Sequence, residues 1–242
     1  VGERIDGRAL DELRPISFEV DWLRPHTVLV KYGETWVVCF PSLEERVPGW
    51  RYGSGLGWAT AEYAILPGAT DTRSSRERGS VSGRTQEIER LIGRAIRTLV
   101  DFEALGQRTL RVDCDVLKAD GGTRTAAISG ACLALYALMR EVYPIFNRYP
   151  LSGRVSAVSA GIVDGKVMLD LNYYEDSRAE LDANLVLFNG TEIVEFQSTA
   201  EKQGGVSRDE LMEVFQLAFE GARKIDQVLQ EEVARLLKGA RG

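Results

Sequence analysis

The chain has 242 residues, 44% hydrophobic and 27% charged, which is enough apolar material for one sizeable core and carries no mark of disorder. A formal net charge of −6 argues against a surface that is wholly a nucleic-acid platform, because phosphate contacts need a local excess of Lys and Arg. The longest strongly apolar run, 131–139, is about half of what a bilayer-spanning helix needs, and no cationic-then-apolar leader is recognised. The expectation is a cytoplasmic protein without a membrane partner.

Strands are predicted at 16–20, 27–32, 35–40 and 58–66, where β-branched and aromatic residues concentrate, with a hairpin at Gly33. Cys39, and later Cys114 and Cys132, sit in apolar segments without metal-ligand spacing and read as reduced, packed thiols. His26 follows Arg24-Pro25 in a loop and reads as non-catalytic. The stretch 67–83 is Gly, Ser, Thr and Arg with almost no apolar residue, and reads as a long exposed loop. Arg73, Arg76, Arg78, Arg84, Arg90, Arg94 and Arg97 cluster in this loop and the helix after it, as either a solvated face or an RNA contact.

That helix opens at Arg84 and ends near Asp101, burying Ile88, Leu91, Ile92, Ala95, Ile96 and Leu99 at helical spacing and leaving Arg90, Arg94 and Arg97 on another face. A strand at 109–116 leads into the polar turn Ala119-Asp120-Gly121-Gly122-Thr123-Arg124, then into a helix that is small and apolar on nearly every side and should be buried. A meander follows at 154–163, 166–173, 182–188 and 193–198, with Asp164-Gly165 and Asn189-Gly190 as two-residue hairpin signals. Ser207 and Glu210 form a capping box before a long amphipathic helix carrying Leu211, Val214, Ala218, Ile225 and Leu236. The order argues for an α+β fold with mixed sheets and a long C-terminal helix.

Two constellations carry chemistry. Gly121-Gly122-Thr123-Arg124-Thr125 at a helix start combines free backbone N–H groups, a hydroxyl and a guanidinium, which suits an anion such as phosphate as readily as an ordinary glycine-rich helix entry. Asp176 and Asp182 flank the link Ser177-Arg178-Ala179-Glu180, at the end of one expected strand and the start of the next. They read as sharing a divalent cation or dividing acid and base roles, or, with Glu175 and Glu180, as a hydrophilic hairpin tip. No Walker A sequence is present, which argues against nucleotide hydrolysis.

Five segments together resemble ribonuclease PH over nearly the whole chain: Arg4-Ile5-Asp6-Gly7-Arg8 with Glu12-Leu13-Arg14-Pro15-Ile16; Gly57-Trp58-Ala59-Thr60-Ala61-Glu62-Tyr63; Ser82-Gly83-Arg84-Thr85-Gln86-Glu87-Ile88; Asp113-Cys114-Asp115-Val116 through Thr125; and Leu169-Asp170-Leu171-Asn172-Tyr173-Tyr174-Glu175-Asp176-Ser177 with Asp182-Ala183-Asn184. The resemblance implies one domain over 1–242, built of two βαβ-type halves like the second domain of ribosomal protein S5, and a homohexamer formed as a trimer of dimers. It implies a phosphate-dependent 3′-to-5′ exoribonuclease, a tRNA nucleotidyltransferase that trims tRNA precursors and processes rRNA, releasing nucleoside diphosphates.

By the same resemblance, Arg84, Gly122, Thr123 and Arg124 hold inorganic phosphate, the co-substrate. Asp176 and Asp182 are catalytic and bind Mg²⁺, and Arg73 and Arg76 meet RNA. The chain departs from the family in reading Ser198-Thr199-Ala200-Glu201-Lys202 where Gly-Thr-Ala-Glu-Gly is usual, and in Gly68 and Asp71, where an arginine and a histidine are expected. Two other readings remain: a ring subunit of the same fold that binds RNA without catalysis, and a phosphate-dependent enzyme for small nucleosides, which the arginine-rich loop disfavours.

Overall fold

The computed structural model describes residues 4–77 and 79–239, so Arg78 of the arginine cluster lies outside the described residues. Strands β1 (Ile16–Val20), β2 (Val28–Tyr32) and β3 (Thr35–Glu44) form an antiparallel meander. Strand β4 (Trp58–Ile65) is followed by helices α1 (Gly83–Arg97) and α2 (Phe102–Leu105), then by strand β5 (Thr109–Lys118). Strand β5 enters beside β3, giving the sheet order β1-β2-β3-β5-β4. Only β4 and β5 run parallel, because the α1 crossover returns the chain in the same direction.

After helix α3 (Thr123–Val142) comes the second sheet, made of β6 (Val155–Val163), β7 (Lys166–Leu169), β8 (Leu181–Phe188) and β9 (Glu192–Ala200), with helix α4 (Tyr173–Asp176) between β7 and β8. Its order is β7-β6-β8-β9, antiparallel throughout, so the parallel βαβ crossover belongs to the first half alone. Helix α5 (Arg208–Gly239) packs across β6, β7 and β8.

Helix α3 lies between the two sheets, touching β2 and β3 on one side and β6 and α5 on another. That position explains why its sequence is apolar all round: the 18-residue window that could span a bilayer by composition is 83% buried inside the fold. Gly130 sets the closeness of the packing, since a Cβ there would stand 2.6 Å from Val30 Cγ1 and 2.8 Å from Cys39 Sγ. The cysteines are buried and free. One apolar cluster runs from Val28 to Leu236 through both halves.

Three boundaries differ from the sequence reading by about four residues, each for a local reason, and the other strand ends fall within two residues of it. Strand β3 continues to Glu44 because β5 offers it a partner over its full length. Helix α1 stops at Arg97, and the Asp101 carboxylate instead caps α2 by accepting from the N–H groups of Glu103 and Ala104. The strand expected over 166–173 ends at Leu169: Asp170 turns left-handed at φ +52°, and Asn172 with Glu175 forms a capping box that starts α4. Asp176 therefore closes a helical turn rather than a strand.

Candidate active site

The turn that opens α3 is built from two glycines at positive φ, Gly121 at +72° and Gly122 at +64°. A Cβ on Gly121 would lie 2.5 Å from the Leu171 carbonyl oxygen, so the turn presses on the backbone that leads to Asp176. Thr35 locks it from below: its Oγ1 donates to the Gly121 carbonyl at 2.6 Å and accepts from the Asp120 N–H at 2.9 Å. The Arg14 guanidinium donates to the Asp120 carbonyl, and the Tyr173 N–H donates to Asp120 Oδ1 at 3.1 Å. With its backbone fixed this way, the N-terminal end of α3 presents N–H groups and a positive dipole end outward.

Opposite this turn, Ser82 caps α1 by accepting from the Thr85 N–H, which places Arg84 in the first helical turn. Arg84, Gly122, Thr123, Arg124, Asp176 and Asp182 all line one cleft of about 660 Å³. The two carboxylates and the two arginines, spread along the sequence from position 84 to position 182, thus face one space. An adjoining recess of about 330 Å³ adds Glu87, Gln197, Thr199 and Glu201 to the wall. Arg76 lines the main cleft, while Arg73 is exposed on the same loop and lies outside the cleft wall.

Asp182 sits at the start of β8, paired with Gly161 on one side and Thr199 on the other. Burial and the Asp176 carboxylate push its pKa up to about 6, against the pull of Arg124 and of the Asn184 side chain, which donates to Asp182 Oδ2 at 3.4 Å. Burial also raises the Asp176 carboxyl, opposed by Arg124, Arg84 and Arg14. Among the described residues neither aspartate has a basic partner within 4.0 Å. Two crowded carboxylates beside two arginines form a site in which charge is held apart and ready for a ligand.

A buried layer behind the cleft was not read as functional from sequence. Arg14 clasps Asp170 through Nε to Oδ2 at 3.0 Å and Nη2 to Oδ1 at 2.7 Å, while its backbone N–H donates to the same carboxylate at 2.8 Å. Arg4 clasps Glu175 and donates to the Leu169 carbonyl at 2.6 Å; Arg8 donates to the Asp170 carbonyl at 3.1 Å. The hairpin-tip reading of Glu175 is thereby corrected, since this side chain is buried and ion-paired. The available signal was the pairing of Arg4-Ile5-Asp6-Gly7-Arg8 with an acidic segment far along the chain.

Other candidates belong to the framework. Arg94 pairs bidentately with Glu195 at 2.8 and 2.6 Å, and Arg97 lies over the Trp58 ring at 4.7 Å while donating to the Ala59 carbonyl. The arginine cluster therefore splits, with part of it committed to packing. His26 bonds Glu141 at 2.7 Å, away from the cleft. Lys202, one of the departures, bridges Glu180 at 3.2 Å and Glu210 at 3.8 Å, tying the β8 entry to the start of α5.

Comparison with known proteins matches residues 12–140 to the 3′ exoribonuclease family, domain 1, and residues 153–221 to domain 2 of that family. Proteins named Ribonuclease PH are similar over most of their length. That of Parasynechococcus marenigrum is 48% identical over 93% of this chain and 92% of its own. Those of Rhodococcus erythropolis and Methylobacterium radiotolerans are 47% and 50% identical, covering 98% and 94% of this chain and 93% and 98% of their own. Two solved structures share the fold. Rice Rrp46 has a TM-score of 0.74 at 20% identity, covering 95% of this chain and all of that one. The Archaeoglobus fulgidus exosome with RNA bound to the active site has a TM-score of 0.78 at 24% identity, covering 93% and 92%.

Proposed function

The chain belongs to the ribonuclease PH family of 3′ exoribonucleases and is a phosphorolytic enzyme, and we propose that it holds inorganic phosphate between Arg84 and Arg124 while Asp176 and Asp182 manage charge at the cleaved bond. The observation that carries this reading is the meeting of two arginines, a helix start and two carboxylates in one cleft.

Phosphate is a dianion, and the cleft offers it two guanidinium groups, the Thr123 hydroxyl and the N–H groups that open α3. A phosphate oxygen attacks the phosphorus of the last phosphodiester. The bond from that phosphorus to the 3′ oxygen of the preceding nucleotide breaks, the leaving oxygen takes up a proton, and a nucleoside diphosphate departs. Little covalent chemistry is asked of the side chains, so placement and electrostatic stabilisation supply most of the acceleration.

Asp176 and Asp182 suit a hard cation such as Mg²⁺, because among the described residues no basic side chain lies within 4.0 Å of their oxygens, and the repulsion of Asp182 by Asp176 is relieved by positive charge. When bound, the ion would neutralise charge on the attacking and leaving oxygens. The substrates that fit are the 3′ ends of tRNA precursors and rRNA, entering past the loop that carries Arg73 and Arg76. A chain of net charge −6 meets a polyanion best when several such loops face one entrance, which a cytoplasmic homohexamer, a trimer of dimers, provides. A ring subunit that only binds RNA needs neither the arginine pair nor the carboxylate pair.

Product identity tests the reaction. End-labelled tRNA precursor incubated with phosphate should lose nucleotides as diphosphates and stay intact without phosphate. Nucleoside monophosphates released in water alone would overturn it.

A further inference from the structure

We infer that Tyr63 is a positioning residue for phosphate, acting through Thr123. The inference rests on the phosphate site placed at Arg84 and Arg124 above. Tyr63 stands on β4 with only 4% of its surface exposed, and its Oη lies 2.7 Å from Thr123 Oγ1. Thr123 is the first residue of α3 and lines the same cleft as the two arginines.

A hydroxyl has one hydrogen to give and two lone pairs to receive. If Thr123 donated to Tyr63, it would turn lone pairs toward an arriving dianion and repel it. If Tyr63 donates to Thr123, the Thr123 hydrogen is free to point at a phosphate oxygen. Only the second arrangement adds attraction, so phosphate binding selects it. Tyr63 is suited to the donor role because burial raises its pKa and keeps the phenol protonated, outweighing the hydrogen bond with Thr123 and the Arg84 and Arg124 charges, which pull the other way. Its backbone is held in the sheet opposite Cys114 on β5, and its N–H donates to Glu89 Oε1 at 3.3 Å.

The chemistry of the attack does not pass through Tyr63, so removing its hydroxyl should weaken phosphate binding and leave the turnover of the saturated enzyme intact. Tyr63→Phe keeps the ring in the core and deletes only the donor. The expected result is a phosphate KM raised about five- to tenfold, with kcat and the RNA KM within about twofold of the parent. Thr123→Val, equal in shape, should raise the phosphate KM about tenfold or more, and Thr123→Ser should restore most of it.

The double variant Tyr63→Phe/Thr123→Val should be no worse than Thr123→Val alone, because Tyr63 has nothing left to orient. Two results would overturn the inference: a phosphate KM unchanged in Tyr63→Phe, or effects that multiply in the double variant. Arg124→Lys, measured alongside, separates this failure from failure of the site itself. If Arg124→Lys raises the phosphate KM and Tyr63→Phe does not, only the role of Tyr63 is lost. If neither moves it, phosphate binds elsewhere.

Discussion

Asp182 should cost the protein stability in return for its charge, and Asp182→Asn measures how much. In the fold its carboxyl titrates at about 6, against an ordinary value of 3.8. Between those two pH values the folded chain binds more protons than the unfolded chain, so stability falls as pH rises through this window. Above about pH 7 the penalty is complete, and the difference between the two values corresponds to roughly 3 kcal/mol. Asparagine keeps the shape, can still accept from Asn184, and also removes the charge that Asp176 repels. Urea unfolding in EDTA from pH 4 to 8 should therefore show Asp182→Asn more stable than the parent by roughly 2–3 kcal/mol at pH 7.5, with the gap closing near pH 4. The same variant should lose about 10²-fold or more in maximal phosphorolysis, unrescued by excess phosphate. A variant that is less stable at pH 7.5, or a gap independent of pH, would refute the account of this carboxyl.

Arg124→Lys keeps the charge but loses the planar fork, so its half-saturating phosphate concentration should rise by a factor corresponding to roughly 1–3 kcal/mol; excess phosphate should restore part of the rate in steady-state assays. Asp170→Asn keeps the left-handed backbone but removes the charge that holds Arg14, and denaturant titration should show a loss of roughly 3–5 kcal/mol. Pairing it with Arg14→Met should give much less than the sum of the two single losses; additivity would mean the two side chains act independently. Sedimentation at micromolar concentration should show a hexamer, and a fully active monomer on tRNA ends would remove the need for a ring.

Much of this molecule was legible because its signals are local. The Asp164-Gly165 hairpin, the Ser207 capping box and the run of small apolar residues in α3 each act within a few positions, and the structure forms each of them; the Asn189-Gly190 signal also turns the chain, but over three residues, 189–191, because β9 pairs with β8 from Glu192. Gly121-Gly122-Thr123-Arg124 was readable for the same reason, since a glycine turn and a helix start are defined by neighbours. The error at 170–176 came from reading period-two alternation through a segment that already contained a capping box, Asn172 with Glu175. Tertiary contact decided that case: Asp170 takes its left-handed turn while its carboxylate is held by Arg14, 156 positions away.

Distance along the chain is what hid the rest. Arg4 and Glu175 are 171 positions apart, and nothing in either segment alone says that they meet. An acidic hairpin tip reads as solvated, whereas the Glu175 side chain is buried because the Arg4 guanidinium neutralises it. The consequence reaches the cleft. Arg14 holds the carboxylate of Asp170, six residues before Asp176, and also the carbonyl of Asp120, in the turn that opens the phosphate site. One buried guanidinium therefore sets the position of the carboxylate-bearing segment relative to the glycine turn. The separation between attacking group and charge-managing group is thus fixed by an ion pair that touches neither, and a change at Arg14 should disturb phosphate binding and turnover together, where changes at Arg124 or Asp182 disturb one or the other.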